Sequence, residues 1–180
     1  MHEILNNFRI EKIQQHLWMP VKTKSRCEKK LAAYCAANNV PYYLPLIKSA
    51  KRQKRQNLIF HIPMFSGYVF CALNDELFRK IVNSNCVVHK LKVDEVMERI
   101  LIDELNAIKK LEENSENIEL VVKPEIIEGQ KIKVVGGPLQ GLSGIVTKRK
   151  NSAIVSVNLE LLGQSVSAEI DIEYIELDVN

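Results

Sequence analysis

The sequence predicts an α+β fold, in which helices pack on a mainly antiparallel sheet, followed by a small five-stranded β-barrel. Three observations lead to this prediction. Residues 18–111 alternate β-rich and helical patterns, residues 112–126 are polar and acidic, and residues 127–180 contain only short β-like runs. We therefore expect an extension over 1–17, an α+β domain over 18–111, a linker over 112–126 and a barrel over 127–180.

The front part of the chain has the predicted element order β-α-β-β-β-α-β-α. Pro20 lies within the first strand and predicts an edge position or a bulge, because proline lacks a backbone N–H. Ser25 and Glu28 have the spacing of a capping box at the start of the first helix. The predicted elements are strand 17–23, a helix ending near Ala37, extended residues 40–46, strands 58–62 and 64–72, helix 75–82 capped by Asn74, strand 86–88 and helix 93–111.

The back part of the chain shows no helical spacing. Its predicted strands are 131–136, 142–148, 152–158, 164–170 and 173–177. Short strands punctuated by glycine and asparagine favour a closed barrel, which removes exposed sheet edges.

The net charge of +3 conceals a strong division along the chain. Residues 1–92 carry +11, residues 93–126 carry −6 and residues 127–180 carry −2. A polyanion is therefore the expected partner of the front part, and a different kind of partner is expected for the back part.

Several function classes are disfavoured. No phosphate-binding glycine loop, nucleophile elbow or metal-ligand spacing occurs, so we expect no enzyme, no cofactor and no metal site. The four cysteines form no C-x-x-C pair and are interpreted as small apolar residues in a reducing compartment. No apolar run approaches the roughly 20 residues that span a bilayer, and the N-terminus does not resemble a signal peptide. A cytoplasmic monomer without membrane contact is expected.

Two motifs resemble those of a known family. Met64-Phe65-Ser66-Gly67-Tyr68-Val69-Phe70 resembles the F-P-G-Y-V strand of the NusG N-terminal domain, and residues 18–30 and 42–45 are similar to its opening strand and helix and to its second strand. Residues 129–146 resemble the KOW motif of NusG-type factors and ribosomal proteins. Ser66 stands where the family usually has proline, and Met19-Pro20 replaces its usual aromatic and aliphatic pair. The resemblance covers nearly the whole chain after residue 17.

This resemblance implies a transcription elongation or antitermination factor that binds the clamp helices of RNA polymerase and suppresses pausing or termination. Phe65 and Tyr68 match the aromatic depression that receives the clamp helices, with Tyr42 and Tyr43 as further candidates. Strand alternation would place Phe65 and Tyr68 on opposite faces, so one of them is alternatively only a core residue. Arg79 and Lys80 match a second polymerase contact, and Lys24 matches a position directed towards non-template DNA.

A basic stretch predicts nucleic-acid binding independently of the family resemblance. Five cations in eight residues form an electrostatic footprint for the phosphates of non-template DNA or nascent RNA, although a solvated hairpin loop is the alternative interpretation. These cations are Lys48, Lys51, Arg52, Lys54 and Arg55. The stretch is longer than in the general factor and is similar to specialised operon-directed members of the RfaH, LoaP and capsule-operon types.

The C-terminal module is expected to bind protein. Its slight negative charge disfavours non-specific nucleic-acid binding, and the family resemblance implies ribosomal protein S10 (NusE) and Rho as partners. Its motif turn holds Gly136, Gly137, Gly141 and Gly144, and Gly141 is expected to adopt a turn conformation that a side chain would obstruct. The alternative is a KOW-containing RNA-binding or ribosome-associated protein without polymerase contact, for which a strongly basic barrel would be expected.

Overall fold

The computed structural model describes residues 9–53, 56–115, 118–124, 129–148 and 152–178. Its helices are α1 (Glu28–Ala37), α2 (Asp75–Val82) and α3 (Glu95–Glu113). Its first strands are β1 (Leu17–Thr23), β2 (Tyr42–Tyr43), β3 (Leu46–Gln53), β4 (Gln56–Pro63), β5 (Tyr68–Leu73) and β6 (Val87–Lys90). The later strands are β7 (Leu120–Pro124), β8 (Gln130–Val134), β9 (Ser143–Lys148), β10 (Ser152–Leu159), β11 (Gln164–Asp171) and β12 (Ile175–Leu177).

The N-terminal sheet has the strand order β2-β5-β1-β6 with antiparallel pairing throughout. Of the edge position or bulge predicted from Pro20, the edge position is wrong, because β1 lies inside the sheet. The register of β1 against β6 does shift, between Lys22 and Thr23. The Pro20 carbonyl accepts a 2.9 Å hydrogen bond from the Leu91 amide, which lies just past the end of β6. The missing N–H therefore points to a side where the neighbouring strand has already ended.

The two shorter helices begin differently from each other. The Asn74 side chain accepts a 2.9 Å hydrogen bond from the Leu77 amide, which confirms the predicted cap of α2. The predicted Ser25–Glu28 capping box is wrong, because Cys27 is the N-cap of α1 and makes no side-chain cap bond. Arg26 adopts a φ of 60°, and the turn that it forms separates Ser25 from the first helical amides.

Helix α3 lies between the N-terminal sheet and the C-terminal strands, and it packs against both β1 and β10. Leu101, Leu105, Ile108 and Leu111 are fully buried, as the apolar stripe predicted, whereas Met97 and Ile100 are each 43% exposed. The buried Glu98 carboxylate accepts a 2.9 Å hydrogen bond from the Trp18 amide of β1. One hydrophobic cluster consequently extends from Trp18 through α3 to the C-terminal strands.

The C-terminal strands form a six-stranded sheet in the order β12-β8-β9-β10-β11-β7. The prediction of five strands is wrong in number, because residues of the predicted linker form β7 and pair with β11 from Ala168↔Leu120 to Gln164↔Pro124. This strand was not predicted, because Leu120, Val121 and Val122 are a short apolar run without the alternation that is typical of a half-buried strand. Closure of the sheet into a barrel stays a prediction.

Replacement of Leu105 by alanine is expected to lower the free energy of unfolding by about 2–5 kcal/mol, since it opens a cavity in the middle of this cluster. Urea unfolding followed by the fluorescence of Trp18 measures the change. The matched control is Val96→Ala on the same helix, where the side chain is 66% exposed, and a change below about 0.5 kcal/mol is expected there. Equal losses in both variants would contradict the burial of Leu105.

Candidate functional site

Three aromatic side chains meet on the α3 side of the N-terminal sheet. The rings of Phe65 and Phe70 are 5.9 Å apart in an edge-to-face arrangement, and the ring of Tyr43 is 6.5 Å from that of Phe70. Tyr43 is placed here because it is paired with Phe70 across the β2–β5 ladder. Tyr68 is half-buried and packs against the same hydrophobic cluster. Three of the four predicted aromatic site residues thus share one side of the sheet.

Tyr42 lies on the other side. It is paired with Cys71 and packs against the second core cluster, which lies under α1 and α2. The period of two in a strand separates Tyr42 from Tyr43. Tyr42 is therefore not brought together with the other three aromatic residues.

Phe65 lies in a turn between β4 and β5, rather than in the strand predicted over 64–72. The Phe65 carbonyl accepts a 3.2 Å hydrogen bond from the Tyr68 amide, and Gly67 adopts a φ of 80°. The strand-alternation argument consequently does not apply. Phe65 is only 1% exposed, so in this structure it is a core residue as well as a candidate contact.

Two side chains that the sequence analysis did not assign to this site, Glu28 and Lys22, hold this turn. The buried Glu28 carboxylate accepts a 2.6 Å hydrogen bond from the Gly67 amide. The Lys22 Nζ lies 4.2 Å from the centre of the Tyr68 ring, a cation–π contact between two residues paired across β1 and β5. Nothing local in the sequence indicated either contact, because the partners are far apart along the chain.

Glu112 connects the end of α3 to this region. Its Oε2 accepts a 2.7 Å hydrogen bond from the Tyr43 hydroxyl, and its Oε1 accepts a 2.8 Å bond from the Leu46 amide. Burial raises the pKa of Glu112 above its ordinary value of 4.5, although both hydrogen bonds oppose that rise. Burial and the nearby Glu112 raise the pKa of Tyr43 well above 10.0. The sequence predicted Glu112 to lie in a linker, whereas it is part of α3.

Three of the predicted nucleic-acid-binding residues lie on β3, which forms a ribbon with β4. Lys48 is exposed on β3, and Lys51 and Arg52 follow on the same strand. Lys54 and Arg55 lie outside the described residues. Within the described residues, the basic stretch therefore belongs to strand β3 as far as Gln53.

The remaining predicted contacts lie on other elements. Lys24 is exposed between β1 and α1, and its backbone amide donates a 2.8 Å hydrogen bond to the Cys86 carbonyl. Arg79 and Lys80 are exposed on α2, where the Lys80 Nζ donates a 3.1 Å hydrogen bond to the Asn38 carbonyl. These cations are not brought together with Tyr43, Phe65 and Tyr68.

The predicted glycine turn joins β8 to β9. Gly141 has a φ of 83° and its amide donates a 2.6 Å hydrogen bond to the Val134 carbonyl. A Cβ at Gly144 would lie 2.7 Å from the Ser156 carbonyl oxygen on the neighbouring strand. Gly137 has a φ of 71°, and Gly136 lies against the Tyr174 ring.

Polar contacts also join α3 to the C-terminal strands. The Glu104 Oε1 accepts a 3.1 Å hydrogen bond from the Glu160 amide, and the Lys110 Nζ donates to the Gln140 carbonyl. Gln140 belongs to the glycine-rich turn, so this turn faces α3.

The four cysteines are free, and all of them belong to the core cluster under α1 and α2. Within the ranges that the structure describes, no three potential metal ligands lie together. In the same part of the chain, no helix has the length and apolar character needed to cross a membrane.

The variant Tyr43→Phe is expected to lower the free energy of unfolding by about 1–3 kcal/mol near neutral pH, because it leaves an oxygen of the half-buried Glu112 carboxylate without its donor. The phenol stabilises the charged carboxylate, so the loss must shrink as the pH falls through the raised pKa of Glu112. Urea unfolding near neutral pH and at about pH 5 measures this difference. The control Tyr34→Phe removes a hydroxyl from α1, and an equal loss for Tyr43→Phe at both pH values would refute the contact.

Comparison with known proteins places the chain in a family. The family model described as "Transcription termination factor nusG" matches residues 16–156, whereas no curated protein matches. Among solved structures, the chain is similar to Thermotoga maritima NusG, with 20% identity over 89% of this chain and 96% of that one and a TM-score of 0.48. It is also similar to the MjSpt4:Spt5 complex, with 15% identity over 89% of this chain and 97% of that one and a TM-score of 0.26. Since the family model covers most of the sequence, this protein belongs to the NusG family of transcription factors.

Proposed function

We propose that this protein is a transcription elongation and antitermination factor that binds RNA polymerase through residues 18–111 and suppresses pausing or termination. The proposed receptor for the polymerase clamp helices is the aromatic group formed by Tyr43, Phe65 and Tyr68. The observation that carries this proposal is that these side chains gather on one side of the sheet, while cationic residues occupy the neighbouring ribbon. Aromatic residues bury a large area at little entropic cost and are frequent binding hot spots.

The proposal assigns nucleic-acid contacts to the cations of the front part. Lys48, Lys51, Arg52, Lys54 and Arg55 contact phosphates of non-template DNA or nascent RNA, and Lys24 is directed towards non-template DNA. Arg79 and Lys80 form a second polymerase contact. The length of the basic stretch supports a specialised, operon-directed member of the family over the housekeeping factor.

The C-terminal sheet is proposed to be a KOW domain that recruits protein. Its charge of −2 over residues 127–180 disfavours the ribosomal or RNA-binding alternative, for which a basic surface would be expected. Ribosomal protein S10 (NusE) and Rho are the proposed partners.

Transcription in vitro past a pause and a terminator, with and without the protein, tests the function. Faster passage and greater read-through are expected. A pull-down with the clamp helices of the polymerase β′ subunit separates the alternatives, because retained RNA binding without clamp-helix binding would favour an RNA-binding module.

Tyr68→Ala is expected to weaken binding to the clamp helices by about 10-fold or more, the size of a hot-spot effect. Tyr68 is the suitable target because it is half-buried, whereas Phe65→Ala would open a cavity in the core. Tyr34→Ala on α1 is the matched control, and its binding is expected to be unchanged. Fluorescence anisotropy with a labelled clamp-helix peptide measures both, and equal affinities of Tyr68→Ala and wild type would exclude Tyr68 from the interface.

Replacement of Lys51, Arg52, Lys54 and Arg55 by glutamine is expected to flatten the salt dependence of nucleic-acid binding. Each lost phosphate contact reduces the slope of log K against log salt by about 0.7–0.9. Titrations at several salt concentrations measure the slope. A control variant with Lys131→Gln and Lys133→Gln changes two exposed cations of β8, and a slope reduced only in that control would remove the ribbon from the contacts.

A further inference from the structure

The ribbon formed by β3 and β4 is separate from the other sheets. Within the described part of the chain, these two strands pair only with each other, in register from Leu46↔Pro63 to Gln53↔Gln56. Residues 46–63 contain five Lys and Arg residues and no Asp or Glu. An element whose Asp, Glu, Lys and Arg residues are all cations is suited to bind a polyanion.

The ribbon also exposes apolar side chains. Phe60 and Ile62 on β4 are each 45% exposed. They lie two residues apart on one strand, so both project from the same face of the ribbon. Phe60 is paired with Ser49 on β3, whereas the exposed Lys48 is paired with His61 and projects from the opposite face of the same ribbon. The strand that pairs with the basic strand thus exposes an aromatic ring, although none occurs within the basic stretch of the sequence.

The root of the ribbon is held in place. The Met64 amide donates a 2.8 Å hydrogen bond to the Pro45 carbonyl, and the Lys29 Nζ of α1 donates a 2.5 Å bond to the His61 carbonyl. His61 lies between Phe60 and Ile62, so this bond fixes the backbone of the segment that carries both. An anchored backbone lowers the ordering cost of presenting an aromatic side chain to a ligand.

We propose that the β3–β4 ribbon is a binding site for single-stranded nucleic acid, in which a base stacks on Phe60, Ile62 supports it and the cations of β3 contact the backbone phosphates. The proposal deepens the nucleic-acid binding proposed above and rests on it for the phosphate contacts. Aromatic platforms beside a cationic track are the usual means of binding an unpaired strand. A duplex keeps its bases stacked inside, where Phe60 would have no partner.

Fluorescence anisotropy of the full chain with labelled dT12, rU12 and a 12-base-pair duplex tests this. Phe60→Leu keeps the apolar bulk and removes the ring. It is expected to weaken single-strand binding by about 5- to 100-fold, to leave the duplex affinity unchanged and to leave the salt slope unchanged. Phe60→Tyr is expected to retain wild-type affinity. The control Val88→Ala changes an apolar residue of β6 that is 57% exposed, and no effect is expected there.

A second measurement does not depend on a variant that folds. Irradiation of the wild-type protein with an oligonucleotide that contains 5-iodouracil is expected to crosslink the base to Phe60, as identified by mass spectrometry of the peptides. Comparison of dT12 with rU12 distinguishes non-template DNA from RNA as the source of the strand. A preference for either one supports the site.

The proposal is overturned if wild-type protein does not bind dT12 or rU12, if Phe60→Leu weakens duplex and single-strand binding equally, or if crosslinks avoid Phe60. Failure of the proposed function is a separate result, because it appears in the clamp-helix pull-down and the transcription assay. Loss of clamp-helix binding with retained stacking on Phe60 would remove the polymerase contact and keep this site.

Discussion

The packing of α3 between two sheets is the constraint on which the rest of the structure depends. Its buried leucines and Ile108 join the two sheets in one hydrophobic cluster. Glu98 fixes its register against β1 through the Trp18 amide. A buried carboxylate must be hydrogen-bonded to be tolerated, so this contact allows little sliding of the helix along the sheet.

The same helix organises the candidate site from its far end. Glu112 accepts hydrogen bonds from Tyr43 and from Leu46, the first residue of β3. One side chain therefore links the aromatic group to the root of the basic ribbon. Burial raises the pKa of Glu112, and the hydrogen bonds from Tyr43 and Leu46 oppose that rise.

The two proposed binding surfaces would bind their partners through different interactions. The aromatic group on the sheet is proposed to offer the half-buried rings of Tyr43 and Tyr68, which are suited to the side chains of a helical protein partner. The ribbon offers charge and a partly exposed ring, which is suited to a strand of nucleic acid. Lys29 is hydrogen-bonded to the His61 carbonyl of β4, and Glu112 is hydrogen-bonded to the Leu46 amide of β3. These two contacts set the position of the ribbon relative to the aromatic group.

Most elements could be predicted from local pattern alone. The apolar period of α3, the Asn74 cap of α2 and the short strands of the back part are properties of neighbouring residues, and the matching motifs also indicated the family that comparison confirmed. The central position of β1, the pairing of β7 with β11, the burial of Phe65 and the contact of Glu28 with Gly67 could not be predicted in this way. Each of these depends on residues distant in the chain, whose packing competes with and overrides local preference. The exposure of Phe60 belongs to the same class, because only the strand pairing places an aromatic ring opposite the basic stretch.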